Sequence, residues 1–441
     1  MRRIIPHSQP YLDRSEQKAA AAVIASGMLS QGAEVESLER ELSRTVRRKY
    51  GVAVSSGTAA LYLSLRALDV GHGHAVIIPS YVCTALLNAV AFAGATPVLC
   101  DVDPKTGVMS RAHAQKVMGR NVRAIIVPHM FGFPADVTDI ASLGVPIIED
   151  CAQCIDGEIN GHVAGSMGTI SVFSFYATKL IAAGEGGMAA TSDEKLAQRM
   201  RDLREYDNRQ TWSPSFNFKL SDIHASIARS QVRKLPEMIS RRQAIAGRYS
   251  EFIKRTGTTV ETPPEITSVR QCWYRYVVRT IFPAEKMLEW MNGRGVACRR
   301  PVFRPLHRYL NLHGFPGAEE IYVRAISLPL YPGLTQSDEQ YIHSALAAFF
   351  NTLRDRASSP PIPAGRPGKL RSPHVTAPEP DRFPRRQPGA APVRRTDAGH
   401  NRAQQHPAPV QRGRDVPVAA TGRTENRGPA YPIRRRKLPG V

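Results

Sequence analysis

One lysine stands out by its surroundings. Ser171-Val172-Phe173-Ser174-Phe175-Tyr176-Ala177-Thr178 alternates apolar and small residues like a strand and leads to Lys179; Leu180 follows, then the turn Gly184-Glu185-Gly186-Gly187. A solvated lysine titrates at about 10.4 and is a poor nucleophile at neutral pH. Desolvation makes the amine usable for Schiff-base chemistry, whereas a lysine at a strand end is otherwise a surface charge.

Three upstream stretches bear on that choice. Ser55-Ser56-Gly57-Thr58 lies between an apolar run and a helical pattern. Glycine there allows close backbone approach, and the first N–H groups of a helix attract an anion; an ordinary capped helix reads the same way. Asp150 ends the run Val145-Pro146-Ile147-Ile148-Glu149. Ligands of open α/β sheets bind at the carboxyl ends of strands, and an acid there can keep a pyridine nitrogen protonated or cap a helix. Cys151-Ala152-Gln153-Cys154 is a lone C-x-x-C without a second pair or histidine spacing, so no metal is expected. No dinucleotide or P-loop glycine motif occurs. An anion cradle, an acid and, 29 residues after it, a lysine suit pyridoxal phosphate, which carries a phosphate, a ring nitrogen and an aldehyde.

The 441 residues, 42% hydrophobic and 22% charged, suffice for a large core and more than one domain. No apolar run reaches the about 18 residues of a membrane span, and Met1-Arg2-Arg3-Ile4-Ile5-Pro6 has no apolar signal core. Six cysteines in apolar settings suggest a reducing, cytoplasmic location. Residues 357–441 hold 17 Lys and Arg against 5 Asp and Glu, and 16 of the 34 prolines. Such a segment cannot offset its ordering entropy by burial, so a disordered basic tail is expected.

The elements that must position these residues read as alternating strands and helices. Apolar runs at 51–54, 75–79, 96–101, 124–128 and 146–149 alternate with helical patterns at 59–68, 84–93 and 111–117. Continuous apolar strands joined by helices indicate an α/β fold with a parallel sheet covered on both faces. Helices are expected at 15–26, 35–50, 195–204, 221–235 and, separately, 236–255. Beyond them, strands at 274–280 and 296–298 and helices at 284–292, 318–325 and 337–352 form no βαβ repeat, which suggests a smaller α+β unit.

Together these blocks resemble the DegT/DnrJ/EryC1/StrS family of sugar aminotransferases. The likeness spans roughly 5–352 and rests on Val52 to Leu61, Pro79 to Asp101, Glu149 to Gln153, Phe173 to Lys179, Gly184 to Gly187 and Ser327 to Leu334. It implies the aspartate-aminotransferase fold type I: a large domain (1–240) with a mostly parallel seven-stranded sheet, and a small C-terminal domain (241–356). Lys179 matches the lysine that bonds to the cofactor aldehyde and shuttles the substrate proton. Asp150 matches the acid at the pyridine nitrogen, and Gln153 the residue at the phenolic oxygen. Gly57, Thr58 and Ser174 match phosphate-binding positions. Asn217 resembles an asparagine that reaches the phosphate from the neighbouring subunit, which implies a homodimer with shared sites. The chain departs from the pattern at Cys83, where an aromatic or histidine usually covers the ring; Cys83 or Tyr81 would have to do so. Lys219 stands where arginine is common.

The resemblance implies pyridoxal 5'-phosphate as cofactor and amino transfer to a keto sugar, a nucleotide-linked 4-keto-6-deoxyhexose, from glutamate or glutamine. One alternative is the pyridoxamine-phosphate sugar dehydratases, which carry histidine where Lys179 stands. Another is a non-catalytic regulator or scaffold whose basic tail binds nucleic acid; the cradle at Ser55 leaves little room for an N-terminal DNA-binding domain.

Overall fold

The computed structural model describes residues 3–207, 210–256 and 260–358. The expected disordered tail at 357–441 lies outside them, apart from the last residues of the C-terminal helix.

Seven strands form the main sheet: β1 (Tyr50–Val54), β2 (Ala75–Pro79), β3 (Thr96–Cys100), β4 (Val122–Pro128), β5 (Ile147–Asp150), β6 (Ile170–Ser174) and β7 (Gly187–Thr191). They lie in the order β1-β7-β6-β5-β4-β2-β3. The β2–β3, β2–β4, β4–β5 and β5–β6 pairs are parallel. Only β7 runs the other way, against β1 and β6. All residues of β2 and β5 are buried, because helices cover both faces. Strand β7 was not expected from the sequence: Gly187-Met188-Ala189-Ala190-Thr191 is short, small-residue-rich and follows a glycine turn, so it gives little strand signal.

The directions decide where the site is. Two reversals through β7 make β1 point the same way as β6, and parallel pairing extends that direction through β5, β4 and β2. The carboxyl ends of β1, β2, β5 and β6 therefore share one sheet edge. That edge carries Ser55 to Thr58, Ser80 to Cys83, Asp150 to Gln153 and Ser174 to Lys179. Gly187, at the start of β7, pairs with both Val54 and Ser174 there.

Helices α2 (Ala33–Thr45), α3 (Gly57–Ala67), α4 (Thr84–Phe92) and α5 (Glu194–Arg204) flank the sheet, and α1 (Arg14–Ser26) packs on α6 (Asp222–Thr256). The helix expected at 35–50 ends at Thr45, because Tyr50 already pairs with Thr191 in the sheet. The two helices expected on either side of residue 236 are one. Pro236 lacks an N–H and would normally break a helix, but Val232, Leu235, Met238 and Ile239 are buried across it, and that packing carries the helix through. The expected boundary at 240/241 thus falls inside α6.

A second, antiparallel sheet joins Val260–Glu261, Tyr276–Thr280 and Ala325–Leu328. Ile245, Tyr249, Met287, Met291, Ile342 and Leu346 pack in its core. The strand expected at 296–298 is only an isolated bridge between Val296 and Ile5, and the Ala325–Leu328 strand was not expected.

Candidate active site

The turn at Ser55 to Thr58 is built by close backbone approach. Ser56 caps α3, its hydroxyl accepting from the Ala59 N–H at 3.0 Å. Gly57 and Thr58 open the helix, where N–H groups have no acceptor within the helix itself. A Cβ at Gly57 would stand 3.0 Å from the Ser174 Cβ. One at Gly187 would stand 2.5 Å from the Ser56 carbonyl carbon and 2.6 Å from the Gly57 nitrogen. Gly57 and Ser174 thus lie against each other, with Thr58 next in the first turn of α3. Gly187→Ala should crowd this wall, with an overpacking cost of about 1–3 kcal/mol. The variant is expected to lose pyridoxal phosphate on gel filtration while wild type retains it.

Asp150 is buried at the end of β5, its Oδ1 accepting from the Ala152 N–H at 3.0 Å. Burial pushes its carboxyl above the usual range, and the Ala152 N–H and the Lys179 charge offset this only in part. An acid so placed gains from a cationic partner such as a protonated ring nitrogen. Gln153 accepts from the Phe131 N–H at 3.1 Å, which leaves its amide donors, one of them 4.0 Å from the Met130 sulfur. A donor there suits a phenolic oxygen.

Cys83 precedes α4 without capping it. It is accessible, yet walled in: desolvation and the Asp150 carboxylate push its thiol up, and the Lys179 charge opposes them. Cys83, Asp150 and Lys179 therefore sense one another. Tyr81 is fully buried, with its ring 6.4 Å from that of Phe131.

Lys179 is half-buried. Its ammonium lies 5.5 Å from the centre of the Tyr274 ring. The loop that carries it folds back on the glycine turn, with the Ala177 N–H donating to Gly184 and the Phe175 N–H to Gly186. Tyr176 is 48% exposed beside it. Asn217 is exposed on a segment whose neighbours bond to Leu203, Arg204 and Ser55. Lys219 pairs with Asp207 at 2.6 Å. His307 is buried, bonded to Ser80 Oγ at 2.5 Å and to Glu319, so it braces the segment after β2.

Sequence reasoning missed the support beneath Asp150. Glu149 is fully buried and accepts from the Gly165, Met167 and Gly168 N–H groups at 2.7, 2.8 and 2.5 Å, with Arg48 at 3.2 Å. His129 takes the Ala135 N–H on Nδ1 at 2.9 Å, so Nε2 carries the proton and donates to Glu149 at 3.1 Å. His129, Glu149 and Cys151 lie within 4.8 Å of one another. Both ring nitrogens are thereby engaged, which leaves no lone pair for an ion. Tyr274 was missed as well: at sequence level it is one of several residues alternating in a strand.

Comparison with known proteins identifies the family. Residues 10–347 match the model of the DegT/DnrJ/EryC1/StrS aminotransferase family. The chain is 31% identical over 356 residues to a GDP-perosamine synthase of Caulobacter vibrioides, covering 76% of this chain and 96% of that one. Among solved structures it is similar to the aminotransferase TlmJ of Streptoalloteichus hindustanus, with 32% identity and a TM-score of 0.76 over 80% of this chain and all of that one. It is also similar to Streptomyces venezuelae DesV in complex with a ketimine intermediate, with 28% identity and a TM-score of 0.72 over 78% of this chain and 99% of that one.

Proposed function

From the premise that the chain belongs to the DegT/DnrJ/EryC1/StrS aminotransferase family and is a PLP-dependent sugar aminotransferase, we propose that it aminates a nucleotide-linked 4-keto-6-deoxyhexose, with glutamate or glutamine as donor. The observation that supports this reading is the shared sheet edge, which carries an amine, a buried acid and a glycine turn, in a chain similar to a GDP-perosamine synthase. When bound, pyridoxal phosphate supplies an electron sink for the carbon–nitrogen bond. Gly57, Thr58 and Ser174 would hold its phosphate, Asp150 its ring nitrogen, Gln153 its phenolic oxygen, and Cys83 would lie against its ring. Lys179 Nζ would bond to its aldehyde and, once released, carry the proton to and from the substrate carbon.

The assay is a panel of keto-sugar nucleotides with L-glutamate or L-glutamine, followed by mass spectrometry. An amine in place of the ketone is expected. A product that has only lost water would overturn the reading in favour of dehydration.

We further assign two domains, 1–240 and 241–356, and a homodimer in which Asn217 reaches the partner's phosphate. Among the described residues no helix is long and apolar enough to cross a membrane, and the reaction is assigned to the cytoplasm. The dimer predicts complementation. Lys179→Ala and Asn217→Ala proteins, each impaired, should regain activity when unfolded together and refolded, since mixed dimers carry one intact site. Random pairing makes that about a quarter of all sites. No recovery would contradict sharing through Asn217.

A further inference from the structure

Tyr274 has no role in the reaction as described above, yet it touches the reactive amine. Its backbone is immobilised from two sides. The buried Arg242 guanidinium donates to the carbonyls of Trp273, Tyr274 and Leu330 at 3.3, 3.2 and 3.0 Å. The turn at Phe131 and Gly132 takes the Cys272 N–H on the Gly132 carbonyl at 3.0 Å and the Arg275 N–H on the Phe131 carbonyl at 3.1 Å. Gly132 sits at φ 94°, and a Cβ there would stand 2.6 Å from the Tyr274 nitrogen, so the close approach needs glycine. The side chain is 6% exposed. Thr178, the residue before Lys179, and Arg275 both lie near enough to its hydroxyl to favour the phenolate. The Arg275 guanidinium lies 5.4 Å from the same ring, with its own Nη1 on the Pro301 carbonyl at 2.8 Å.

We propose that Tyr274 is a positioning residue for Lys179: its ring face, held in place by its immobilised backbone, receives the free ammonium. A lysine has four rotatable stem bonds and about 2 kcal/mol of rotamer entropy as a reference value. A cation held on a desolvated aromatic face searches fewer of those states. The phenol records the contact: burial pushes it up, but the charges of Lys179 and Arg275 and the nearby Thr178 side chain pull it below the ordinary tyrosine value. In the catalytic cycle the amine leaves the cofactor and must return, so a fixed resting place shortens each return. The inference rests on Lys179 being the cofactor-bonding residue, but the Tyr274–Lys179 contact is measured separately.

The first experiment uses the cofactor-free protein with tyrosine labelled at ¹³Cζ, the Tyr274 signal being assigned with Tyr274→Phe. Its ionisation should move up in Lys179→Met and return in Lys179→Arg, which keeps a cation in place. An unchanged midpoint in Lys179→Met would overturn the proposal. The second measures the rate at which added pyridoxal phosphate is captured. Tyr274→Phe, which keeps the face, should capture close to the wild-type rate, and Tyr274→Leu about 2- to 30-fold more slowly, the range of a cation–π contact. Wild-type capture in Tyr274→Leu would also overturn it; should that variant not fold, the first experiment decides. If the cofactor is found on another lysine, the Lys179 reading fails while the ionisation shift still reports the contact.

Discussion

Glu149→Gln is expected to lower the stability of the cofactor-free protein by about 3–5 kcal/mol, the cost of breaking a buried charge pair by removing one partner. The carboxylate is fully buried and serves three backbone N–H groups, Arg48 and His129. An amide accepts on one oxygen only. Its NH₂ would face donors, and the Arg48 guanidinium, buried beside it, would lose its counter-charge. The sign with pH follows from the shift. Burial pushes Glu149 up, but the bond from His129 and the N–H groups of Gly168 and Gly165 outweigh it, so the group sits below its ordinary 4.5. Its ionic contribution is complete above pH 4.5 and is lost as pH falls through the lowered value. Urea unfolding should show the gap between variant and wild type in full at pH 7 and shrinking below pH 4.5. A gap that does not change with pH would show that the carboxylate is not the source.

Asp150→Asn separates stability from activity. Burial raises the Asp150 carboxyl above its ordinary 3.8 in the cofactor-free fold, so the ionised form is disfavoured there. The sign is the reverse of Glu149: between 3.8 and the raised value the folded state holds more protons than the unfolded one, and stability falls as pH rises. Asparagine removes the charge and still offers an oxygen to the Ala152 N–H. The variant should therefore unfold at a higher temperature than wild type at pH 7 without cofactor, and not at pH 3. Its kcat should fall about 10²–10³-fold, the range for losing one preorganised electrostatic partner at a reacting centre. A variant as active as wild type would remove Asp150 from the ring nitrogen.

Much of this arrangement was legible before any coordinates. Ala75-Val76-Ile77-Ile78-Pro79 and Pro146-Ile147-Ile148 are continuous apolar runs, and only a strand covered on both faces accommodates such runs between helical patterns. Their alternation with helices gave the parallel sheet, and strand direction then brought Gly57, Thr58, Cys83, Asp150, Gln153, Ser174 and Lys179 to one edge. What escaped notice depends on partners distant in sequence. Strand β7 is held by β1 and β6 rather than by its own residues. Pro236 stays inside α6 because its neighbours are buried. Glu149 reads as one more strand residue until Arg48, 101 positions away, is seen against it. Tyr274 gains meaning only from a lysine 95 positions earlier in the chain. Cys83 was singled out only as a departure from a family pattern, and its accessible place at the start of α4, on the sheet edge that also carries Asp150 and Lys179, came from the fold.

The most direct measurement is to add pyridoxal phosphate to the purified protein, reduce with borohydride and map the modified peptide by mass spectrometry. The account predicts that an absorbance band near ~400–430 nm, the region of cofactor bonded to an amine, forms and disappears on reduction, with the label on Lys179 Nζ and none in Lys179→Ala. A label on a different lysine, or a band that persists unchanged in Lys179→Ala, would contradict it.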